Sequence, residues 1–136
     1  MSRLLFISLL LMIACKGSTF YRENQQISQE GWSKTEPATF RIHITDRNQV
    51  YSTFLILRHH TLYKYSNLWM FIHISAPDGK TVTDTVECFL SDYKGKWYGS
   101  GLGDMKTVKI GYRPQVTFPD TGVYEIKIEQ AMRENP

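Results

Sequence analysis

Ser100 stands between two glycines, as Gly99-Ser100-Gly101, and so invites comparison with a nucleophilic serine on a sharp turn. That chemistry needs Gly-x-Ser-x-Gly between a strand and a helix, and neither condition is met. The run Gly99-Ser100-Gly101-Leu102-Gly103 also lacks the Gly-x-Gly-x-x-Gly order that opens a helix beneath a dinucleotide phosphate. It reads as a flexible loop with unusual backbone angles. The histidines are His43, His59, His60 and His73. His59 and His60 are neighbours, so on a strand they face opposite ways and make poor co-ligands. His43 and His73 alternate with apolar residues and are expected to face solvent. No Cys/His spacing of a zinc site occurs. Asp78, Asp84, Asp92 and Asp104 would form a calcium site or an acid/base pair only if the fold gathered them. Trp97 and Tyr98 are candidates for contact with a partner or, as a stacking platform, with a glycan. Trp69, between Leu68 and Met70-Phe71-Ile72, is expected in the core. This reading assigns no catalytic residue, no metal site and no cofactor.

The two cysteines differ in kind. Met1-Ser2-Arg3 is a short positive start, and residues 4–13 are apolar except for Ser8. A spanning helix needs about 20 apolar residues, whereas this length suits the core of a secretory signal. Met12-Ile13-Ala14-Cys15 then resembles the bacterial lipobox, with Met12 where leucine is more usual. A small residue, Ala14, lets a peptidase reach the backbone. The Cys15 thiol would take a diacylglyceryl group as a thioether. Cleavage between Ala14 and Cys15 would free an amine for a further acyl chain such as palmitate. At ~0.8 kcal/mol per buried methylene, two or three chains anchor a protein durably. That leaves Cys88, within Val86-Glu87-Cys88-Phe89-Leu90, expected as a small buried hydrophobe.

The elements that position these residues read as strands. The chain has 136 residues, 42% of them hydrophobic and 21% charged, a globular balance that fits a single domain. Aromatic residues make up 13%, which favours sheet over helix bundle. The net charge of +3 is spread along the chain with no basic stripe, which argues against nucleic acid as a partner. Residues 16–37 are polar and read as a tether that lifts the domain off the lipid, although Tyr21, Ile27 and Trp32 suggest that its later part packs back. Phe40, Ile42 and Ile44 alternate with Arg41 and His43, a half-buried strand. Residues 50–58, with Phe54-Leu55-Ile56-Leu57, form a second strand expected to be covered on both faces. Residues 59–67 read as a loop. Leu68–Ile74 is expected as a central strand. Ala76-Pro77-Asp78-Gly79 is a turn that makes 68–75 and 80–88 a hairpin. Residues 96–98, 105–112 and 115–118 are further short strands, the last two limited by Pro114 and Pro119. Val123–Glu129 alternates cleanly. The expected architecture is an all-β, antiparallel β-sandwich of seven or eight strands. The expected organisation is a signal peptide over 1–14, a lipidated tether over 15–37 and the sandwich over 38–136.

Several segments together resemble the gliding-motility lipoprotein GldH family of Bacteroidetes. They are 65–72, Tyr65-Ser66-Asn67-Leu68-Trp69-Met70-Phe71-Ile72; 75–80, Ser75-Ala76-Pro77-Asp78-Gly79-Lys80; 84–88, Asp84-Thr85-Val86-Glu87-Cys88; the stretch 95–104 around Trp97-Tyr98; and 128–133. Trp32 and Ile44-Thr45-Asp46 fit as well. The resemblance spans nearly all of 15–136 and implies an envelope lipoprotein without known enzymatic activity. It further implies an assembly or stabilising role in the machinery that moves surface adhesins, exercised through contacts with other envelope or gliding-machinery proteins. Family chains continue past 131–136 into one more strand, without which a strand edge or apolar face would be left uncovered. The expected partners are therefore the membrane, through Cys15, and envelope proteins. Lys16 is not the aspartate that holds many lipoproteins at the inner membrane, which favours the outer membrane. The alternative is a glycan-binding module at the cell surface that uses Trp97 and Tyr98.

Overall fold

The computed structural model describes residues 18–134, so the expected signal peptide, Ala14 and Cys15 lie outside the described residues. The strands are β1 (Ala38–Ile44), β2 (Tyr51–His60), β3 (Asn67–Ser75), β4 (Thr81–Phe89), β5 (Met105–Val116) and β6 (Gly122–Gln130). They form two antiparallel layers: a four-stranded sheet in the order β1-β6-β3-β4, and a two-stranded ribbon of β2 and β5. The period of two along each strand builds the core. Met70 and Ile72 of β3 are each 1% exposed. They lie opposite Val86 and Asp84 of β4, and Gln130 and Ile128 of β6. Ala38, Cys88 and Ile128 complete the buried cluster, and Leu55, Leu57, Ile110 and Tyr112 of the ribbon pack onto it. Full burial of side chains such as Ile72 contributes about 1.5–3 kcal/mol each.

The hairpin expected around Ala76-Pro77-Asp78-Gly79 is present. The Gly79 amide donates to Ala76 O at 2.9 Å and the Ala76 amide to Lys80 O at 2.8 Å. Gly79 has a φ of 86°, which a side chain would resist.

Among the described residues the sandwich has six strands rather than seven or eight. Residues 96–98 form only an isolated bridge, between Trp97 and Ser91. Residues 105–116 are one strand, not two, because Pro114 sits where the ladder is already broken. Tyr51 pairs with Val116 and Thr53 with Arg113, which leaves Pro114 and Gln115 opposite Ser52 in a bulge. Gln115 takes a φ of 53° there. The Thr53 hydroxyl accepts from the Arg113 amide and donates to its carbonyl, both at 3.0 Å, and so replaces lost ladder bonds.

Three further expectations change. β2 is covered on one face only: Phe54 is 51% and Ile56 41% exposed, because none of the described residues forms a layer outside the ribbon. Trp69 is 37% exposed on the outer face of β3, since the even-numbered residues of that apolar run take the core. The Gly99–Gly103 stretch is tied to β5 rather than loose. Ser100 and Thr107 exchange backbone hydrogen bonds of 3.1 and 2.9 Å, and Thr107 O would lie 2.8 Å from a side-chain carbon placed on Gly99. His43 is exposed, whereas His73 is half-buried on the outer face, bonded to Thr83 Oγ1 at 2.8 Å and 3.4 Å from Glu129.

Asp84 points from the edge strand β4 across to the ribbon, where it accepts from the Tyr112 hydroxyl and the Arg113 guanidinium. These bonds hold its carboxyl below its ordinary value of 3.8, while burial and the same carboxylate push Tyr112 up to about 12. A depressed carboxylate stabilises the fold above its unfolded pKa, and that contribution fades as pH falls through the folded one. Asp84→Asn should therefore cost about 1–2 kcal/mol at pH 7, the usual worth of bonds to a partly exposed charge. In urea unfolding curves the gap from wild type should narrow as pH falls below 4, the ordinary carboxylate range. A gap that stayed constant down to pH 2 would refute this role.

Candidate functional site

At the far end of β2, two loops meet. The amides of Leu90 and Ser91, just after β4, both donate to Ser66 O, at 2.7 and 3.1 Å. This splices the 90–98 segment to the 61–66 loop. Beyond it the chain reverses at Asp92. Asp92 Oδ1 accepts from the amides of Lys94 and Lys96, at 2.8 and 2.9 Å, an Asx-type turn. Tyr93 stands at its tip, 92% exposed.

The two loops enclose an open groove of about 320 Å³ lined by Tyr63, Tyr65, Tyr93 and Trp97, with Lys64 and Asp92 also on its wall. The Trp97 ring lies 4.6 Å from the His59 ring and His59 lies 6.2 Å from Tyr63. Tyr63 and Tyr65 meet edge to face at 5.7 Å, within the favourable range for aromatic pairs. Both phenols are fixed by donation: Tyr63 to Asn67 O at 2.9 Å and Tyr65 to Glu134 at 2.5 Å. Burial pushes Tyr63 up to about 12, and the bond to Glu134 raises Tyr65, so both remain protonated at neutral pH. The groove thus offers a preformed aromatic wall with an ammonium and a carboxylate beside it.

Of the sequence candidates, Trp97 lines this groove. Tyr98 does not; it is exposed beyond it, its amide bonded to Leu90 O at 2.8 Å, because neighbours in an extended segment point opposite ways. The aspartates are dispersed. Asp78 pairs with Lys80 at 2.8 Å, Asp84 with Arg113, and Asp104 lies 3.9 Å from His60. Asp92 caps its own turn. Among the described residues no group of three or more His, Cys, Asp or Glu is placed to hold a metal ion. Ser100 is engaged with β5 through its backbone. Cys88 is fully buried and its thiol is pushed up to about 11 by burial, the profile of an inert packing cysteine. Sequence reasoning missed Tyr63, Tyr65 and Tyr93. The alternation Tyr63-Lys64-Tyr65 was the available signal, since in an extended loop it sets both rings on one side.

Fold and groove together define a small, all-β, two-sheet domain with an aromatic-lined groove. The chain belongs to the GldH lipoprotein family, whose model matches residues 19–136. A Christiangramia forsetii protein named gliding motility lipoprotein GldH homolog is 34% identical over 128 residues, covering 94% of this chain and 78% of that protein. The gliding motility lipoprotein GldH of Flavobacterium johnsoniae is 30% identical over 134 residues, covering 98% of this chain and 82% of its own length. No solved structure matches the chain.

Proposed function

We propose that this chain is a non-enzymatic envelope lipoprotein, acylated at Cys15 after cleavage behind Ala14 and held at the outer membrane. There it acts as an assembly or stabilising component of the gliding machinery through contacts with other envelope proteins. The observation that carries this reading is the conjunction of family and motif: a member of the GldH lipoprotein family has Met12-Ile13-Ala14-Cys15 directly after a short apolar run. The motility link is taken from the names of the relatives. Cells fed a clickable fatty-acid analogue should label the wild-type protein and retain it in the membrane fraction. Cys15→Ala should lose the label and move to the soluble fraction. A wild-type protein that takes up no label removes the anchoring claim.

A second reading, a glycan-binding module, is favoured by one observation, the groove lined by Tyr63, Tyr65, Tyr93 and Trp97. Flat aromatic faces beside polar groups suit sugar rings, whose C–H faces stack and whose hydroxyls bond. Titration with cell-surface polysaccharide should then give a saturable change in tryptophan fluorescence. Trp97→Ala should abolish it, and Tyr93→Ala, at an exposed position that leaves packing intact, should weaken it. Absence of any saturable change in the wild type excludes this reading.

A further inference from the structure

The two faces of the sandwich differ in charge. The outer face of the four-stranded sheet sets acids beside its cations, and carries Glu87 as well. Arg41 pairs with Glu125 at 3.0 Å, Lys127 with Glu129 at 2.6 Å, and His73 lies 3.4 Å from Glu129. The ribbon has no such balance: β2 and β5 carry Arg58, Lys106, Lys109 and Arg113 and contain no Asp or Glu. Arg113 is engaged with Asp84 and Lys106 with Gly101 O. On the outer face, Phe54 and Ile56 are exposed between Arg58 and Lys109, and the Lys109 ammonium lies 4.0 Å over the Phe54 ring. His60 ends this row, and the nearest acid to it is Asp104 at 3.9 Å. Leu62 and Leu102 stand exposed at the same end, on loops joined by the Thr61 amide donating to Asp104 O at 2.7 Å. Exposed aromatic and aliphatic side chains set among cations are the composition of a surface that rests in a lipid headgroup layer.

The N-terminal segment limits how far that layer can be from the start of β2. Packing begins early: the Phe20 ring lies 4.9 Å from Tyr51, the first residue of β2. Gln25 Oε1 accepts from the Thr39 amide at 2.7 Å, and Ile27 and Trp32 pack against the core. Only residues 16–19 separate Cys15 from Phe20, a stretch that spans at most about 17 Å when fully extended. The ribbon itself is about 30 Å long at ~3.3 Å per residue. A tether of this length keeps the Tyr51 end of the ribbon within about 17 Å of the lipid, so the outer face of the ribbon can reach the headgroup layer.

We propose that the outer face of the β2–β5 ribbon, Phe54 and Ile56 between Arg58 and Lys109, lies on the lipid surface that carries the Cys15 anchor. This rests on acylation at Cys15. The orientation leaves the outer face of the four-stranded sheet, with Trp69 and Phe71, turned away from the lipid.

The test uses the full acylated protein in vesicles of phosphatidylethanolamine and phosphatidylglycerol that carry a nitroxide near the headgroup. A fluorophore is placed on Ile56→Cys, or on Thr83→Cys at the opposite face. Cys88 is fully buried and does not compete for label. Both proteins should sediment with the vesicles, with quenching severalfold stronger at 56 than at 83, and Lys109→Glu should reduce the quenching at 56. Failure to sediment overturns the anchor and this inference together. Sedimentation with equal or reversed quenching overturns the inference alone. A label at 56 that is shielded in native membranes yet unquenched in protein-free vesicles assigns the face to a protein partner, and also overturns it.

Discussion

A two-stranded ribbon in water is at best marginally stable, and a four-stranded sheet with Met70, Ile72 and Ile128 bare on one side would be no better. Each layer supplies what the other lacks. Leu55, Leu57, Ile110 and Tyr112 close over the sheet, and Asp84 reaches from β4 to Tyr112 and Arg113, joining the layers at the open side of β4. The aromatic groove and the docking of the N-terminal segment are both built on this closure. The loops that form the aromatic groove leave β2 and β4, one from each layer. The N-terminal segment docks against β1 and the start of β2.

Closure also sets a polarity along β2. Tyr51, at its start, belongs to a line of rings from Phe20 through Phe118 to Tyr124 with spacings of 4.9, 5.6 and 4.7 Å. His59, near its end, meets the Trp97 ring at 4.6 Å in a tilted arrangement. The end that holds the N-terminal segment and the groove are thus separated by the length of one strand. Rings grip the N-terminal segment at one end, and at the other they are left open to solvent. The Tyr63 and Tyr65 hydroxyls are satisfied by Asn67 and Glu134, so a ligand at the groove would meet fixed rings and lose little freedom in ordering them.

Much of the fold was legible in the sequence because the signal is a period of two. Phe40, Ile42 and Ile44, Val123–Glu129 and the Pro77-Asp78-Gly79 turn are found where alternation and turn chemistry put them. What was hidden depends on layers. Phe54-Leu55-Ile56-Leu57 looks covered on both faces, and only the absence of a third layer among the described residues leaves Phe54 and Ile56 in solvent. Pro114 reads as a strand end, and only the bulge opposite Ser52, with Thr53 filling the broken ladder, lets β5 run through it. The groove was half legible: Trp97 stood out, but Tyr63 and Tyr65 come within reach of it through the bonds that Ser66 O accepts from Leu90 and Ser91, which no local pattern announces.

Native-state amide hydrogen exchange decides whether ribbon and sheet are one cooperative body. If they are, the ladder amides of β2 and β5 should exchange only through the same opening that frees β3 and β6, with matching protection and matching denaturant dependence. Ribbon amides that exchange orders of magnitude sooner, while β3 and β6 stay protected, would show that the two layers are not held together as described.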